Sequence, residues 1–185
     1  MTKRVQFSAK SGACEGEIAE PSGTGKVGGV VVIQEWHGIN AEMRSKIERF
    51  ASEGYLAIAP DLYHGKVAVL GFCLGGALSF AAAANVPGLA AVVPFYGVPD
   101  LSQIDLGRVT APILAHFAET DAWASPDKAR AIQKELQAKG KPMELHVYQG
   151  AGHAFMRSGD PTKYHEASAK LAWERTLAFL KTHLA

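Results

Sequence analysis

Short, mostly apolar segments recur along the chain, with polar, glycine-bearing segments between them. Several of these runs are continuously apolar rather than alternating, which is typical of strands buried on both faces of a parallel sheet. We predict six such strands, over residues 27–34, 55–59, 67–72, 89–96, 112–117 and 143–148. Two shorter runs, residues 5–7 and 17–19, are predicted to form an antiparallel hairpin at the sheet edge.

Three segments between these runs have helical signals. Asn40 can cap a first helix that Gly54 ends, and Ser125 followed by Pro126 begins a second helix that Gly140 ends. The expected apolar faces are Met43, Ile47, Phe50 and Ala51 in the first helix, Ile132 and Leu136 in the second, and Trp173, Leu177, Leu180 and Leu184 in a third helix beginning near Glu166. This alternation of strands and helices predicts an α/β fold, with a mostly parallel central sheet and helices on both faces.

Length and charge limit the classes of function. The 185 residues indicate one domain, and a formal net charge of +1 gives no reason to expect nucleic acid or a membrane surface as a partner. No apolar run approaches the ~20 residues of a membrane span, and the start of the chain lacks the apolar segment of a signal peptide. Two cysteines without a disulfide framework indicate a reducing compartment, so we expect a cytoplasmic location.

A cysteine between glycines follows the apolar run 67–72, in the sequence Gly71-Phe72-Cys73-Leu74-Gly75-Gly76. Flanking glycines allow a sharp strand-to-helix turn that exposes its central side chain above the carboxyl edge of the sheet. The helix N-terminus favours thiolate at Cys73, and the Leu74 amide points to where an oxyanion would form. We predict that Cys73 is a catalytic nucleophile. The alternative, a small structural cysteine, is what we expect of Cys14.

A cysteine nucleophile usually needs a base, and the base needs a group that orients it. Asp121 and His153 each lie in a loop directly after an apolar run, where the carboxyl ends of parallel strands meet. The order Cys73, Asp121, His153 is the nucleophile–acid–histidine order of the α/β-hydrolase fold. Of the other histidines, we expect His116 and His146 to be packed within strands, and His165 and His183 to lie on the surface of the tail helix.

These motifs together resemble those of the dienelactone hydrolases, which are α/β-hydrolases with a cysteine nucleophile. The similar segments occur in family order and span nearly the whole chain: residues 34–40, 59–63, 71–76, 95–97, 117–121 and 152–155. The resemblance implies that Glu35 hydrogen-bonds the resting thiol and helps to generate thiolate. It also implies that the Trp36 amide is a second oxyanion donor beside Leu74, and that Arg157 attracts a substrate carboxylate.

Three further side chains are candidates for the substrate pocket. Tyr96 and Trp123 would line it, with aromatic core packing as the alternative. His37 is expected in the pocket wall, with a role as a second base as the alternative. For Glu35 and Arg157, the alternatives are a partly exposed turn carboxylate and a solvated surface charge.

The connection between two of the predicted strands is too short. Only six residues separate Pro60 from Val67, and six extended residues reach about 20 Å. A parallel crossover needs a dozen or more residues, and the resemblance implies an excursion of about fifty residues here, including a substrate-facing arginine without a counterpart. Either a segment is missing from this sequence or the protein has a true deletion with an altered sheet. Geometry favours a missing segment. We therefore expect a break in the chain, rather than a normal peptide bond at every step, between Tyr63 and Val67.

We therefore expect a hydrolase of a lactone or ester that uses Cys73, His153 and Asp121. The resemblance implies a carboxylate-bearing dienelactone (an enol-lactone) as the substrate. No metal or organic cofactor is needed for this chemistry, and we expect a monomer or a small homo-oligomer. The alternatives are a non-enzymatic thiol sensor or binding protein on the same fold and a glutamine-amidotransferase-like cysteine enzyme. The latter typically has an acid two residues after its histidine, where this chain has Phe155.

Overall fold

The computed structural model describes residues 1–9, 12–23, 25–35, 38–63, 66–141 and 143–184. The chain divides into two units, residues 1–65 and 66–185, and each is treated by itself below.

In its described residues, the first unit has four strands and one helix. They are β1 (Lys3–Ala9), β2 (Gly12–Ala19), β3 (Gly29–Val31), α1 (Ala41–Ser52) and β4 (Leu56–Pro60). The strand order is β1-β2-β4-β3, in which β1 and β4 pair antiparallel with β2, whereas β3 pairs parallel with β4. The predicted hairpin is confirmed, since Val5 is opposite Gly16 and Phe7 is opposite Cys14.

Two predictions for the first unit need correction. The strand predicted over residues 27–34 is only three residues long: β3 pairs with β4, and Val31 in the strand and Ile33 beyond it are largely exposed, at 63% and 61%. Helix α1 begins after Asn40, whose side chain accepts a hydrogen bond from the Met43 amide at 2.9 Å, as predicted. Met43, Ile47 and Ala51 form its buried face, as predicted. Phe50, which was predicted on the same face, is exposed because it lies at the edge of that face.

The second unit is built on a parallel sheet. Its elements are β5 (Val67–Phe72), α2 (Leu74–Asn85), β6 (Leu89–Phe95), β7 (Ile113–Ala118), α3 (Pro126–Ala138), β8 (Met143–Tyr148) and α4 (Glu166–Leu184), with short 3-10 helices at Leu101–Gln103 and Leu106–Arg108. The strand order is β5-β6-β7-β8, and every pair is parallel. The last residues of the four strands are nearly in register, so the loops that follow them leave the sheet at one edge.

Both faces of this sheet are covered. Val92 and Phe117 pack with α2 and α3 in one apolar cluster, whereas Val93 and Phe95 pack with α4 in another. Adjacent residues of β6 therefore point to opposite faces, which is the alternation that a strand imposes. The predicted α/β class, with helices on both faces of a parallel sheet, is confirmed for this unit. Helix α3 also begins and ends as predicted, with Ser125 as its cap and Ile132 and Leu136 buried.

The tail helix packs on a face that coincides with the predicted one only at Leu180, which is partly buried against the core. Trp173 and Leu177 are about half exposed, at 47% and 51%, and Leu184 is also exposed. The buried residues of α4 are instead small ones: Ser168, Ala169, Ala172 and Thr176. A buried hydrogen bond accounts for this choice of face. The His116 ring on β7 is 3.0 Å from the hydroxyl of Thr176, and this contact holds the Thr176 side of α4 against the sheet.

Candidate active site

Cys73 occupies a sharp turn between β5 and α2. Its φ of 57° and ψ of −116° lie outside the regions that side chains prefer, and its thiol is exposed. A Cβ atom at Gly71 would overlap the carbonyl oxygen of Gly75, and one at Gly97 would overlap the carbonyl oxygen of Cys73 itself. After Cys73 the glycine that needs this space is Gly76, where a Cβ would overlap the Phe95 carbonyl oxygen, whereas a Cβ at Gly75 would meet no atom within 4 Å.

Backbone hydrogen bonds fix this turn against the neighbouring strand. The Cys73 amide donates to the Phe95 carbonyl at 3.0 Å, and the Cys73 carbonyl accepts from the Ala77 amide at 3.1 Å. Leu74 is the first residue of α2, so its amide has no carbonyl partner within the helix. The Leu74 amide therefore belongs to the set of helix N-terminal donors that favour negative charge next to the thiol.

The three side chains that the sequence singles out lie together in the second unit. The Sγ atom of Cys73 is 3.2 Å from Nε2 of His153. The Nδ1 atom of the same ring is 2.6 Å from Oδ2 of Asp121. A thiol, an imidazole and a carboxylate thus form a continuous chain of hydrogen-bonded contacts, although 80 residues separate Cys73 from His153.

The Asp121 carboxylate is held from its other side. Its Oδ1 atom accepts hydrogen bonds from the amides of Trp123 and Ala124, both at 2.9 Å. The residue is only 4% exposed. These two bonds define which oxygen faces His153, so the orientation of the carboxylate does not depend on the histidine alone.

Two residues just before Asp121 hold the loop that carries His153. The Thr120 amide and hydroxyl both donate to the Ala151 carbonyl, at 3.0 and 2.9 Å. The Glu119 carboxylate accepts from the Gly150 amide at 2.8 Å. Sequence reasoning missed these roles: both residues were part of a recognised motif, but nothing in the local sequence shows that they face a loop 31 residues away.

Two aromatic rings contact the His153 ring edge-on. The Tyr96 ring centroid is 5.3 Å away and the Trp123 centroid is 5.4 Å away. Tyr96 is buried, and its burial, together with the negative charge of the nearby Cys73, raises the pKa of its hydroxyl to about 12. Trp123 is 77% exposed, so its ring lies at the protein surface beside His153 and is not part of the apolar core.

The remaining predicted site residues differ in how far the structure describes them. Arg157 is exposed, and its guanidinium is 3.8 Å from the Asp160 carboxylate. Glu35 belongs to the first unit, where it pairs with Lys46 at 2.6 Å. Trp36 and His37 lie outside the described residues. The roles predicted for Arg157, Glu35, Trp36 and His37 stay predictions.

The other histidines have distinct environments. His116 is fully buried, as predicted: Nδ1 lies 2.8 Å from the Tyr148 hydroxyl, and burial lowers its pKa to about 3, helped by nearby His146 and Arg175. His146 is 2.6 Å from the Glu144 carboxylate. His165 precedes the tail helix rather than lying on it and contacts the Ser168 hydroxyl at 2.7 Å.

Within the described ranges, no group of three or more histidine, cysteine, aspartate or glutamate residues is arranged to hold a metal ion. None of the helices in the same ranges combines the length and apolar character required to cross a bilayer.

A parallel sheet covered by helices, with a cysteine turn at its edge, is the architecture of an α/β-hydrolase. The model of the dienelactone hydrolase family matches residues 14–68 and 64–184. The chain belongs to the dienelactone hydrolase family, and the expected class of enzyme, a carboxylic ester hydrolase, is confirmed. This membership argues against the glutamine-amidotransferase-like alternative.

Individual relatives agree with this assignment. The chain is 31% identical to Protein usf of Aquifex pyrophilus and 28% identical to a protein of Aquifex aeolicus provisionally named carboxymethylenebutenolidase, each over 232 aligned positions that cover 100% of both chains. It also resembles the crystal structure of a provisionally named dienelactone hydrolase from Klebsiella pneumoniae, with a TM-score of 0.58 and 26% identity over 98% of this chain and 99% of that one. These similarities confirm the α/β-hydrolase fold.

The alignments also bear on the short connection after Pro60. The alignment with Protein usf has 232 positions and this chain has 185 residues, so 47 positions of that relative have no counterpart here. The two segments matched by the family model meet at residues 64–68. The predicted interruption between Tyr63 and Val67 covers residues 64–66, of which 64 and 65 lie outside the described residues, and it stays a prediction.

Proposed function

We propose that this protein hydrolyses a small ester or lactone through a Cys73–His153–Asp121 triad, with a carboxylate-bearing enol-lactone as the preferred substrate. The observation that carries the proposal is the chain of contacts from thiol to imidazole to carboxylate, at 3.2 and 2.6 Å, in a member of a hydrolase family. The name of the Aquifex aeolicus relative denotes an enzyme acting on a carboxymethylene-substituted butenolide, which supports this substrate class.

The first half of the reaction forms a thioester. His153 Nε2 accepts the thiol proton while its Nδ1–H donates to Asp121. The Cys73 thiolate attacks the carbonyl carbon, a C–S bond forms, and the carbonyl electron pair moves to the oxygen. The Leu74 amide stabilises that oxyanion, and we infer the Trp36 amide as the second donor.

The second half releases the acid. The tetrahedral intermediate collapses, the C–O bond to the leaving group breaks, and the protonated His153 gives its proton to the leaving oxygen. In a lactone the leaving oxygen stays attached to the acyl chain. A water molecule then loses a proton to His153 and attacks the thioester, and the Cys73 thiolate leaves. An activated substrate suits this route, because hydrolysis of the thioester must be rapid for turnover.

The residues around the triad have supporting roles in this proposal. Tyr96 and Trp123 form two walls against the His153 ring, which restrict how the imidazole can turn. Arg157 attracts a substrate carboxylate, and its exposure leaves it accessible to an anion. Glu35 promotes thiolate formation when the substrate binds, and His37 completes the pocket wall.

We also infer a cytoplasmic location and a monomer or small homo-oligomer. The two cysteines are free thiols, which supports a reducing compartment. The partner in this proposal is a small ester or lactone rather than a nucleic acid.

The test is the rate of ester hydrolysis by the full chain, measured with p-nitrophenyl acetate and a carboxylate-bearing dienelactone. Cys73→Ala should reduce both rates to the uncatalysed background, and Cys14→Ala, which removes the other thiol, should leave them unchanged. Undiminished turnover by Cys73→Ala would contradict the proposal. Reversible oxidation of Cys73 without turnover of either ester would instead favour the thiol sensor.

A further inference from the structure

A cavity of about 530 Å³ lies in the second unit, between the segment that follows β6 and the first turns of α3. Its walls are largely apolar and include Val98, Leu101 and Ile132. Small-molecule sites in proteins commonly have volumes of about 300–1,000 Å³, apolar walls and a few polar groups. The cavity therefore has the dimensions and the lining of a ligand subsite.

Trp123 connects this cavity to the triad. It lines the cavity, and its ring centroid is 5.4 Å from that of His153. Its amide is bound to the Asp121 carboxylate at 2.9 Å, so the backbone that carries the ring is fixed by the triad itself. One wall of the cavity therefore lies against the His153 ring, the middle residue of the proposed triad.

The cavity has one cation at its wall. The Lys128 ammonium donates to the Trp123 carbonyl at 3.2 Å, which leaves two of its three N–H groups for other acceptors. None of the ion pairs in the part of the chain that the structure describes involves Lys128. The cavity also has one carboxylate, Asp100, but its Oδ1 atom accepts two hydrogen bonds from Ser102 within its own turn.

We propose that this cavity is a subsite for one arm of the substrate, and that Lys128 recognises a carboxylate at the end of that arm, whereas Arg157, which lies outside the cavity lining, attracts a carboxylate carried elsewhere on the substrate. The arm is apolar along its length, because it passes Val98, Leu101 and Ile132. The negative charge of Asp100 repels such a carboxylate and reduces the affinity that Lys128 adds. This inference rests on the proposed function, since it names a substrate feature of the same site.

The experiment compares two esters with acyl chains of equal length, p-nitrophenyl pentanoate and the p-nitrophenyl monoester of glutaric acid. Lys128→Met keeps the stem and removes the charge. It should lower kcat/KM for the glutarate monoester by about three- to fivefold, through KM, as expected for an exposed ion pair. The pentanoate should be unaffected. Lys134→Met, on the same helix but outside the cavity, should change neither ester, and Asp100→Asn should improve the glutarate monoester.

The outcomes separate the two proposals. Equal losses on both esters, or no loss on the glutarate monoester, with Lys128→Met would overturn the subsite while Cys73-dependent turnover of the pentanoate upholds the proposed function. If wild type hydrolyses neither ester, or if Cys73→Ala is as active as wild type, the proposed function fails and the subsite fails with it.

Discussion

Replacing Asp121 with asparagine changes the hydrogen bonding of His153 while conserving the shape of the residue. In wild type, Oδ1 accepts from two backbone amides and Oδ2 accepts from His153 Nδ1. In Asp121→Asn the remaining oxygen should keep the two amides, so the new NH₂ group faces Nδ1. Two donors then oppose each other, which favours the tautomer with its proton on Nε2. That nitrogen can no longer accept the proton of Cys73.

The size of the effect follows from what is lost. General base catalysis contributes about 10²–10⁴ in rate, so kcat of Asp121→Asn should fall by about that factor, or about 3–5 kcal/mol of transition-state stabilisation. Stability should change little, because the Trp123 and Ala124 amides keep their acceptor. Asp121→Ala removes that acceptor, and the unpaired Ala124 amide should cost about 1–3 kcal/mol of unfolding free energy.

The assay is the steady-state hydrolysis of p-nitrophenyl acetate, with thermal unfolding followed by circular dichroism on the same samples. The expected pattern is a large loss of kcat in both variants but a large loss of Tm only in Asp121→Ala. An Asp121→Asn enzyme with wild-type kcat would refute the argument, because Asp121 would then have no role in setting the tautomer of His153.

Three further predictions follow from other contacts. Gly71→Ala should lower Tm and esterase activity because its Cβ overlaps a backbone carbonyl, whereas Gly75→Ala should preserve Tm; equal Tm values in the two variants would contradict this. Thr120→Val removes one of two hydrogen bonds to Ala151, worth about 1 kcal/mol, and should lower kcat about fivefold, with Thr120→Ser restoring it. The buried His116 stays neutral down to a pKa of about 3, whereas the unfolded chain binds a proton near 6.5, so the stability it contributes is complete above about pH 6.5 and is lost as the pH falls toward 3. From pH 7 to pH 5 this loss should lower the free energy of unfolding, measured with urea, by about 2 kcal/mol. In His116→Gln the free energy of unfolding should depend less on pH, and a dependence as steep as that of wild type would contradict the prediction.

The proximity of Cys73, Asp121 and His153, the proposed triad, was predictable because each residue has a local signal. Cys73 lies in a glycine-bearing turn, and Asp121 and His153 lie in loops directly after apolar strands. In a parallel sheet such loops leave at one edge, so local sequence was sufficient to bring three distant positions together. The same reasoning identified the caps Asn40 and Ser125, whose hydrogen bonds lie within three residues of the cap.

The face of the tail helix was not predictable from its own residues. Hydrophobicity alone selects Trp173 and Leu177, but the sheet presents His116, whose partner Thr176 is 60 residues away in the sequence. A buried polar group must find a hydrogen-bond partner, and that need decided which side of α4 faces the sheet. Nothing within the helix shows that the opposing surface is polar.

Contacts between loops were missed for a related reason. Thr120 donates two hydrogen bonds to a backbone carbonyl of the His153 loop, and Glu119 accepts one from a backbone amide of that loop. Backbone donors and acceptors have no sequence signature. Gly97, after β6, is required by the carbonyl of Cys73 in the turn that follows the neighbouring strand β5, whereas the sequence drew attention only to the glycines beside Cys73. Close approaches of this kind become visible only when the strands are assembled.

The most direct test of the account is to trap the covalent intermediate. The full chain is mixed with p-nitrophenyl acetate, quenched in acid during turnover, and its peptides are mapped by mass spectrometry. We expect one acetyl group per chain, attached to Cys73, and a longer-lived acetyl adduct at that position when His153 is replaced by glutamine. An acetyl group found on another residue, or ester turnover with Cys73 always unmodified, would contradict the account.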